Sequence, residues 1–217
     1  MTVARSFSCV LLALASACHT ETHEEHLDIE EPVVSLEVDV GSGDLEIVGA
    51  DVDEVSVMAK IEGASNHLGH SLEDGRLTLF DDCNELQCGV NITAFVPAAV
   101  PIVLRTGSGD IRARGAQAEV SMRTGSGDID ARELLGIGLH AETGSGDVAL
   151  RVQAPAESVI VRTGSGDVEL VVPRGSYRLS VSTGSGDEHV DGVHNDTAAS
   201  GSIDVDTGSG DVAVRGR

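Results

Sequence analysis

Five letters, TGSGD, recur six times unchanged along a chain of 217 residues, and GSGD stands a seventh time at residues 41–44. The first glycine of the six full copies falls at 107, 125, 144, 164, 184 and 208, so the intervals are 18, 19, 20, 20 and 24. A motif that returns at a period near twenty marks stacked coils rather than separate domains.

Aligning the copies on their threonines brings the flanks into register. Two residues before threonine stand Leu104, Met122, Ala141, Val161, Val181 and Val205; four before it stand Ile102, Val120, Leu139, Val159, Leu179 and Ile203. After the aspartate come Ile111, Ile129, Val148, Val168, Glu188 and Val212, then, two further on, Ala113, Ala131, Leu150, Leu170, Val190 and Val214. Alternate residues of a strand share a face, so these columns point inward. The threonines Thr106, Thr124, Thr143, Thr163, Thr183 and Thr207 share their parity. The seventh copy follows the same rule, with Leu36, Val38, Leu45 and Ile47 inward and Val40 in the threonine slot.

Each repeat therefore reads as strand, corner, strand and short return. Stacked about 4.8 Å apart, such coils pair in parallel with the copies above and below. The expected fold is all-β: a single-stranded parallel β-helix, or β-solenoid, of about seven coils spanning residues 33–217. A β-sandwich is the competing architecture, although sandwiches do not repeat one identical corner. Aromatic residues make up only 2% of the chain, which suits a thin core of Val, Ile, Leu and Ala. Strand alternation also marks residues 35–40, 54–61, 76–80 and 90–96, with irregular, longer connections expected between 49 and 101. The nearest helical candidate, residues 131–139, is broken by Gly136 and Gly138.

The corner itself admits two chemistries. Its glycines permit positive φ, Ser and Asp hydrogen-bond to nearby N–H groups, and a stacked Thr hydroxyl satisfies polar groups along a ladder. Alternatively, stacking gathers Asp44, Asp110, Asp128, Asp147, Asp167, Asp187 and Asp211 into a carboxylate column, and calcium favours oxygen-rich sites of that kind. The motif superficially resembles the nonapeptides of calcium-binding β-rolls, but departs in its period and lacks a second glycine–aspartate row. The working expectation is no cofactor, with calcium as the alternative. Arg105, Arg123 and Arg162 before the threonines, and Arg114, Arg132, Arg151 and Arg215 after the aspartates, are candidates to neutralise the acidic face or to remain solvated singly.

Glu188 breaks an inward column, with His189, Asp191 and His194 close by. Such a break marks either a small metal or catalytic cluster or, more often, a bulge or a coil near the end of the stack, where packing loosens.

The first residues are read as export chemistry. Arg5 precedes a short apolar run ending before Cys18, too short to span a bilayer and built like a secretory signal over residues 1–17. Residues 14–18 (LASAC) resemble a bacterial lipobox, with Ala15 where Leu is usual. That resemblance implies lipidation of Cys18 and, with His19 rather than Asp next, the outer membrane; ordinary cleavage leaving a free Cys18 is the alternative. Residues 18–32 are acidic and His-containing and read as a solvated tether, with His19, His23, His26, Glu24 and Glu25 as a less favoured metal set. Cys83 and Cys88 suit a local disulfide in an exported chain; a metal-binding pair would lack its second half.

The net charge of −22 argues against nucleic acid and anionic membrane surfaces as electrostatic partners. The repeated TGSGD corner with alternating flanks, following VPAAVPIVLR, resembles the bacterial "putative adhesin" family of β-strand-repeat domains over roughly residues 33–217. The resemblance implies a β-solenoid, often exported or membrane-attached, and defines no catalytic residues. The expected function is a non-catalytic, structural or adhesin-like envelope lipoprotein, held to a membrane by its lipid and facing an envelope, cell-surface or polysaccharide partner. A calcium-dependent binding module is the alternative, and a polysaccharide-active β-helix enzyme the least favoured reading.

Overall fold

In a computed structural model, which describes residues 22–63, 66–82, 88–135 and 137–217, the chain is all-β and its strands form two ten-stranded sheets. The first half supplies β1 (Thr22–Ile29), β2 (Ser35–Ser42), β3 (Leu45–Ala50), β4 (Val55–Glu62), β5 (His67–Glu73), β6 (Arg76–Asp82) and β7 (Val90–Pro97). The repeats follow as β8 (Ile102–Ser108), β9 (Ile111–Arg114), β10 (Val120–Ser126), β11 (Ile129–Leu134), β12 (Gly138–Ser145), β13 (Val148–Val152), β14 (Ser158–Thr163) and β15 (Val168–Val172). The chain ends with β16 (Gly175–Thr183), β17 (Glu188–Asp191), β18 (Val193–Asn195), β19 (Ser202–Thr207) and β20 (Val212–Gly216).

Every GSGD corner passes from one sheet to the other. The strands entering the corners, β2, β8, β10, β12, β14, β16 and β19, lie in one sheet, and those leaving them, β3, β9, β11, β13, β15, β17 and β20, lie in the other. Pairing among them is parallel and unshifted at the corner: Thr124 faces Thr106 on one side and Thr143 on the other, and Ile129 faces Ile111 and Val148. The alternation of inward apolar residues sets this register, because a slip of one residue would turn a whole column to solvent.

One apolar core lies between the sheets, built from the columns read in the sequence together with the inward faces of β4, β6 and β7. Leu104, Ala141, Val161, Val205, Leu150, Leu170 and Val214 are fully buried. Among the described residues Tyr177 is the one aromatic in this core; Phe80 and Phe95 lie on outward faces. At about 25 cal/mol per Å² of apolar surface removed from water, each buried Val or Leu is worth about 1.5–3 kcal/mol.

Three expectations are corrected. First, part of the expected tether is strand: β1 pairs antiparallel along the whole of β4. Leu27 packs against the core and Ile29 is buried in it, so the alternation in THEEHLDI, masked in the sequence by its charge, is that of an edge strand. Second, the stack is not parallel throughout. The interval between residues 41 and 107 forms its N-terminal end, where β4 lies antiparallel between β1 and β7 in one sheet and β5 lies antiparallel on β6 in the other. Third, the last two repeats exchange places. β19 pairs with β14 on one side and β16 on the other, and β20 lies between β15 and β17. The C-terminal copy is thus the penultimate rung, and the copy at residues 183–187 ends the stack.

Candidate functional site

The stacked corner is built from backbone outward. The second glycine of each copy holds positive φ, +143° at Gly109 and +147° at Gly127. A Cβ on Gly109 would lie 2.1 Å from the Gly43 carbonyl oxygen, and one on Gly107 2.5 Å from that of Gly41. The glycines therefore do two things: they turn the chain, and they let neighbouring coils touch backbone to backbone.

Thr and Asp then knit coil to coil. The Thr106 hydroxyl donates to the Gly43 carbonyl at 3.0 Å, Thr124 to Gly109 at 3.0 Å and Thr143 to Gly127 at 3.0 Å. Thr163 donates to Gly146 at 3.2 Å, Thr207 to Gly166 at 3.2 Å and Thr183 to Gly210 at 2.9 Å. Thr183, on the end coil, is half-buried where the other five are buried.

The aspartates form a second ladder. Oδ1 of Asp44 accepts from the Asp110 N–H, Asp110 from Asp128, and Asp128 from Asp147, at 2.9, 3.0 and 2.8 Å. Asp147 accepts from Asp167, Asp167 from Asp211 and Asp211 from Asp187, each at 2.8 Å. At the open side the Asn91 amide oxygen accepts from the Asp44 N–H at 2.8 Å. An uncharged side chain thus starts the ladder in the role aspartate plays everywhere else.

The arginines mostly meet acids. Arg105 pairs with Glu37, Arg112 with Asp110 at 2.8 Å, Arg114 with Glu46 at 3.1 Å, Arg162 with Asp204 at 3.0 Å and Arg215 with Glu169 at 2.8 Å. Arg132 lies on Asp130, whose hydrogen bond and charge raise the guanidinium pKa. These partners are largely exposed, so each pair is worth little singly; their effect is to break up the acidic surface.

Glu188 sits in β17, whose four residues are all exposed at the sheet edge. Its Oε1 accepts from the Thr183 N–H at 3.2 Å. A carboxylate is tolerated in the inward column because no coil covers it on that side. His189, Asp191 and His194 are likewise exposed.

A different histidine set converges at the opposite end. β1 places His23 and Glu25 on its inner face and Glu24 and His26 outside, so the set expected in the tether is split between two faces. Glu25 instead meets His67 of β5: His67 Nδ1 lies 2.8 Å from Glu25 Oε1, and His23 Nε2 lies 3.4 Å from the same oxygen. The Leu68 N–H donates to Glu25 Oε2 at 3.1 Å. Burial pulls the Glu25 carboxyl upward, but hydrogen bonds from His67, Leu68 and His23 together with the His67 charge outweigh it and hold the pKa below the ordinary glutamate value. Sequence reasoning missed His67, 42 residues away from Glu25, because no local spacing announces a contact between two sheets. Cys18, Cys83 and His19 lie outside the described residues; Cys88 packs half-buried against the core.

Residues 30–215 match the family model described as Toastrack DUF4097. The chain belongs to this family. No curated protein sequence matches this Toastrack chain. Among solved structures it is similar to a "putative cell adhesion protein" from Clostridium sporogenes, at 12% identity and a TM-score of 0.52, covering 91% of this chain and 100% of that one. It is also similar to a "putative adhesin" from Parabacteroides distasonis (13% identity, TM-score 0.41, 91% and 95% covered). A third, a "putative adhesin" from Bacteroides fragilis, has 10% identity and a TM-score of 0.40, with 89% and 97% covered. The first of these likenesses speaks for the fold of the Toastrack chain and for nothing finer.

Proposed function

We propose that this Toastrack chain is an exported, non-catalytic binding scaffold of the cell envelope, its repeats wound as a β-solenoid. One observation carries the reading. The residues that make the repeated motif distinctive are engaged in stacking: each corner threonine donates to a neighbouring glycine carbonyl, and each aspartate but the terminal one accepts a neighbouring N–H. A motif used this way builds a rigid surface rather than a reaction centre. Enzymes on β-helices carry clustered acids or bases on protruding loops and aromatics to hold sugars; here the only tyrosine, Tyr177, is buried, and the outward-facing Phe80 and Phe95 lie apart on different sheets. The adhesion names borne by the Clostridium, Parabacteroides and Bacteroides structures support a surface role.

The scaffold is held by its N-terminus in this reading. Residues 1–17 direct export, Cys18 carries the lipid, and the outer membrane is the destination. The partner is a cell-surface or polysaccharide ligand reached from that anchor. Cys83 and Cys88 close a local disulfide, a reading supported by Cys88, which is disulfide-bonded.

The aspartate column needs no calcium, because backbone N–H groups already meet one oxygen of every aspartate but Asp187. A thermal midpoint unchanged by millimolar calcium or a calcium-selective chelator is expected; a clear upward shift with calcium would reinstate a calcium-dependent module. Incorporation of labelled palmitate, lost in Cys18→Ser, tests the anchor. The scaffold reading is tested with the Cys18→Ser protein immobilised and offered envelope polysaccharides and whole cells. Saturable attachment is expected, and its absence across that panel overturns the reading.

A further inference from the structure

The N-terminal end of the stack is where the two sheets come together without a repeated corner. β1 is the edge of one sheet and β5 the edge of the other, and the His23–Glu25–His67 contacts join them. One donor atom from each of the three side chains lies within 4.8 Å of the other two. The rings stand edge to face, at 67° with centroids 5.9 Å apart. This arrangement leaves a polar group poorly met: His23 Nε2 is shielded from solvent, and its 3.4 Å approach to Glu25 Oε1 is too long and misaligned to count as a full hydrogen bond among the described residues. A buried ring nitrogen without a partner costs free energy unless something meets its lone pair or its proton.

We propose that His23, Glu25 and His67 form a zinc site that staples the edge strands of the two sheets. Two imidazoles and a carboxylate are a donor set suited to Zn²⁺, with the fourth position left to water or an exogenous ligand. Bond lengths of about 2.0–2.1 Å put tetrahedral donors about 3.3 Å apart. The His23–Glu25 separation of 3.4 Å already meets that spacing. His67 Nδ1, at 2.8 Å from Glu25 Oε1, has to move outward by about half an ångström, which its exposed position on β5 allows. Glu25 is oriented for the role by the Leu68 N–H on its second oxygen, the kind of outer contact that fixes a metal-binding carboxylate. The metal would meet the Nε2 lone pair, and it would tie β1, which among the described strands pairs only with β4, to the opposite sheet. The inference is independent of the scaffold reading.

The test is titration of the metal-stripped Cys18→Ser protein with Zn²⁺ by calorimetry, with Co²⁺ absorption as a second readout. The expected result is one equivalent bound, a low-coordinate Co²⁺ spectrum and a raised thermal midpoint. His67→Ala and His23→Ala should each weaken binding by more than about tenfold, since even substitutions outside the ligand shell often cost that much. His26→Ala, on the outer face of the same strand, should bind as the parent does. Because His67→Ala also loses the contact to Glu25, the stability readout is the rise in midpoint on adding Zn²⁺, expected in the parent and absent in His67→Ala. Binding equally weak in parent and His67→Ala, or weakened equally by His26→Ala, overturns the site.

Discussion

The hydroxyl of Thr183 donates to the carbonyl of Gly210, 27 residues further along the chain, at 2.9 Å. In sequential stacking its acceptor would be Gly166, which instead accepts from Thr207. The last coil has entered beneath the one before it. The interval of 24 residues before the final copy supplies the extra chain for that exchange, and Gly201 lets it pass close by, since a Cβ there would lie 2.8 Å from the Ala156 carbonyl.

Coil order is checked by cross-linking the exposed corner serines. Adjacent parallel strands lie about 4.8 Å apart and alternate ones about 9.6 Å, while a disulfide needs Cα atoms within about 7 Å. Ser165→Cys with Ser209→Cys should oxidise readily, because the Gly166 N–H donates to the Ser209 carbonyl. Ser165→Cys with Ser185→Cys should not. The reverse outcome, read by peptide mass after oxidation, would restore the sequential order.

The two glycines and the serine of one corner should respond very differently to alanine. In Gly109→Ala the methyl group meets the Gly43 carbonyl, and the backbone sits at a φ of +143°. Strain of this kind costs about 1–3 kcal/mol before the coils are forced apart, so a loss of at least about 2 kcal/mol is expected in denaturant unfolding. Ser108 is exposed, and Ser108→Ala should stay within about 0.5 kcal/mol of the parent. Equal effects would mean that backbone contact does not set the corner.

Much of this was legible in the chain, and what escaped has a physical pattern. The inward columns, the threonine ladder and the parallel register follow from a period that every coil repeats. The exchange of the last two coils was signalled twice, by the long interval and by Glu188 in an apolar column, but neither sign says which rung is last. β1 was hidden because an edge strand at the end of the stack shows only one face to the core, and its outer face carries Glu24, His26 and Asp28. The meeting of His23 and His67 depends on two sheets closing on each other, which no local pattern encodes. Asn91 is similar: its part in the aspartate ladder appears only when β7 is laid beside β3.

That ladder predicts that amide replaces carboxylate without loss. Asn91 Oδ1 already does for the Asp44 N–H what Asp128 Oδ1 does for Asp147. Asp128→Asn should therefore lie within about 0.5 kcal/mol of the parent. It should gain slightly at low ionic strength, where relief of repulsion along the column is least screened. Asp128→Ala removes the acceptor and should cost about 1 kcal/mol. Chemical unfolding of the three proteins at two salt concentrations separates the cases. A loss in Asp128→Asn as large as in Asp128→Ala would show that charge, and hence a cation, matters in the column.

Tyr177 gives the fold an alkaline limit. It is buried beneath the end coils, its hydroxyl donates to the Pro173 carbonyl at 3.0 Å, and burial raises its pKa above the ordinary value of 10.0. The folded state therefore holds the phenolic proton more tightly than the unfolded state does. Below the ordinary value both states are protonated and the contribution is fully present. As pH rises through that value the unfolded chain ionises first, and stability falls until the folded tyrosine ionises too. The chain has a single tyrosine, so its ultraviolet difference signal reports this one group. Ionisation should appear at higher pH than in the unfolded chain, and Tyr177→Phe should flatten the decline in thermal midpoint that sets in as pH rises through the ordinary value of 10.0. A tyrosine that titrates alike in folded and unfolded protein would mean that the end coils leave it open to water.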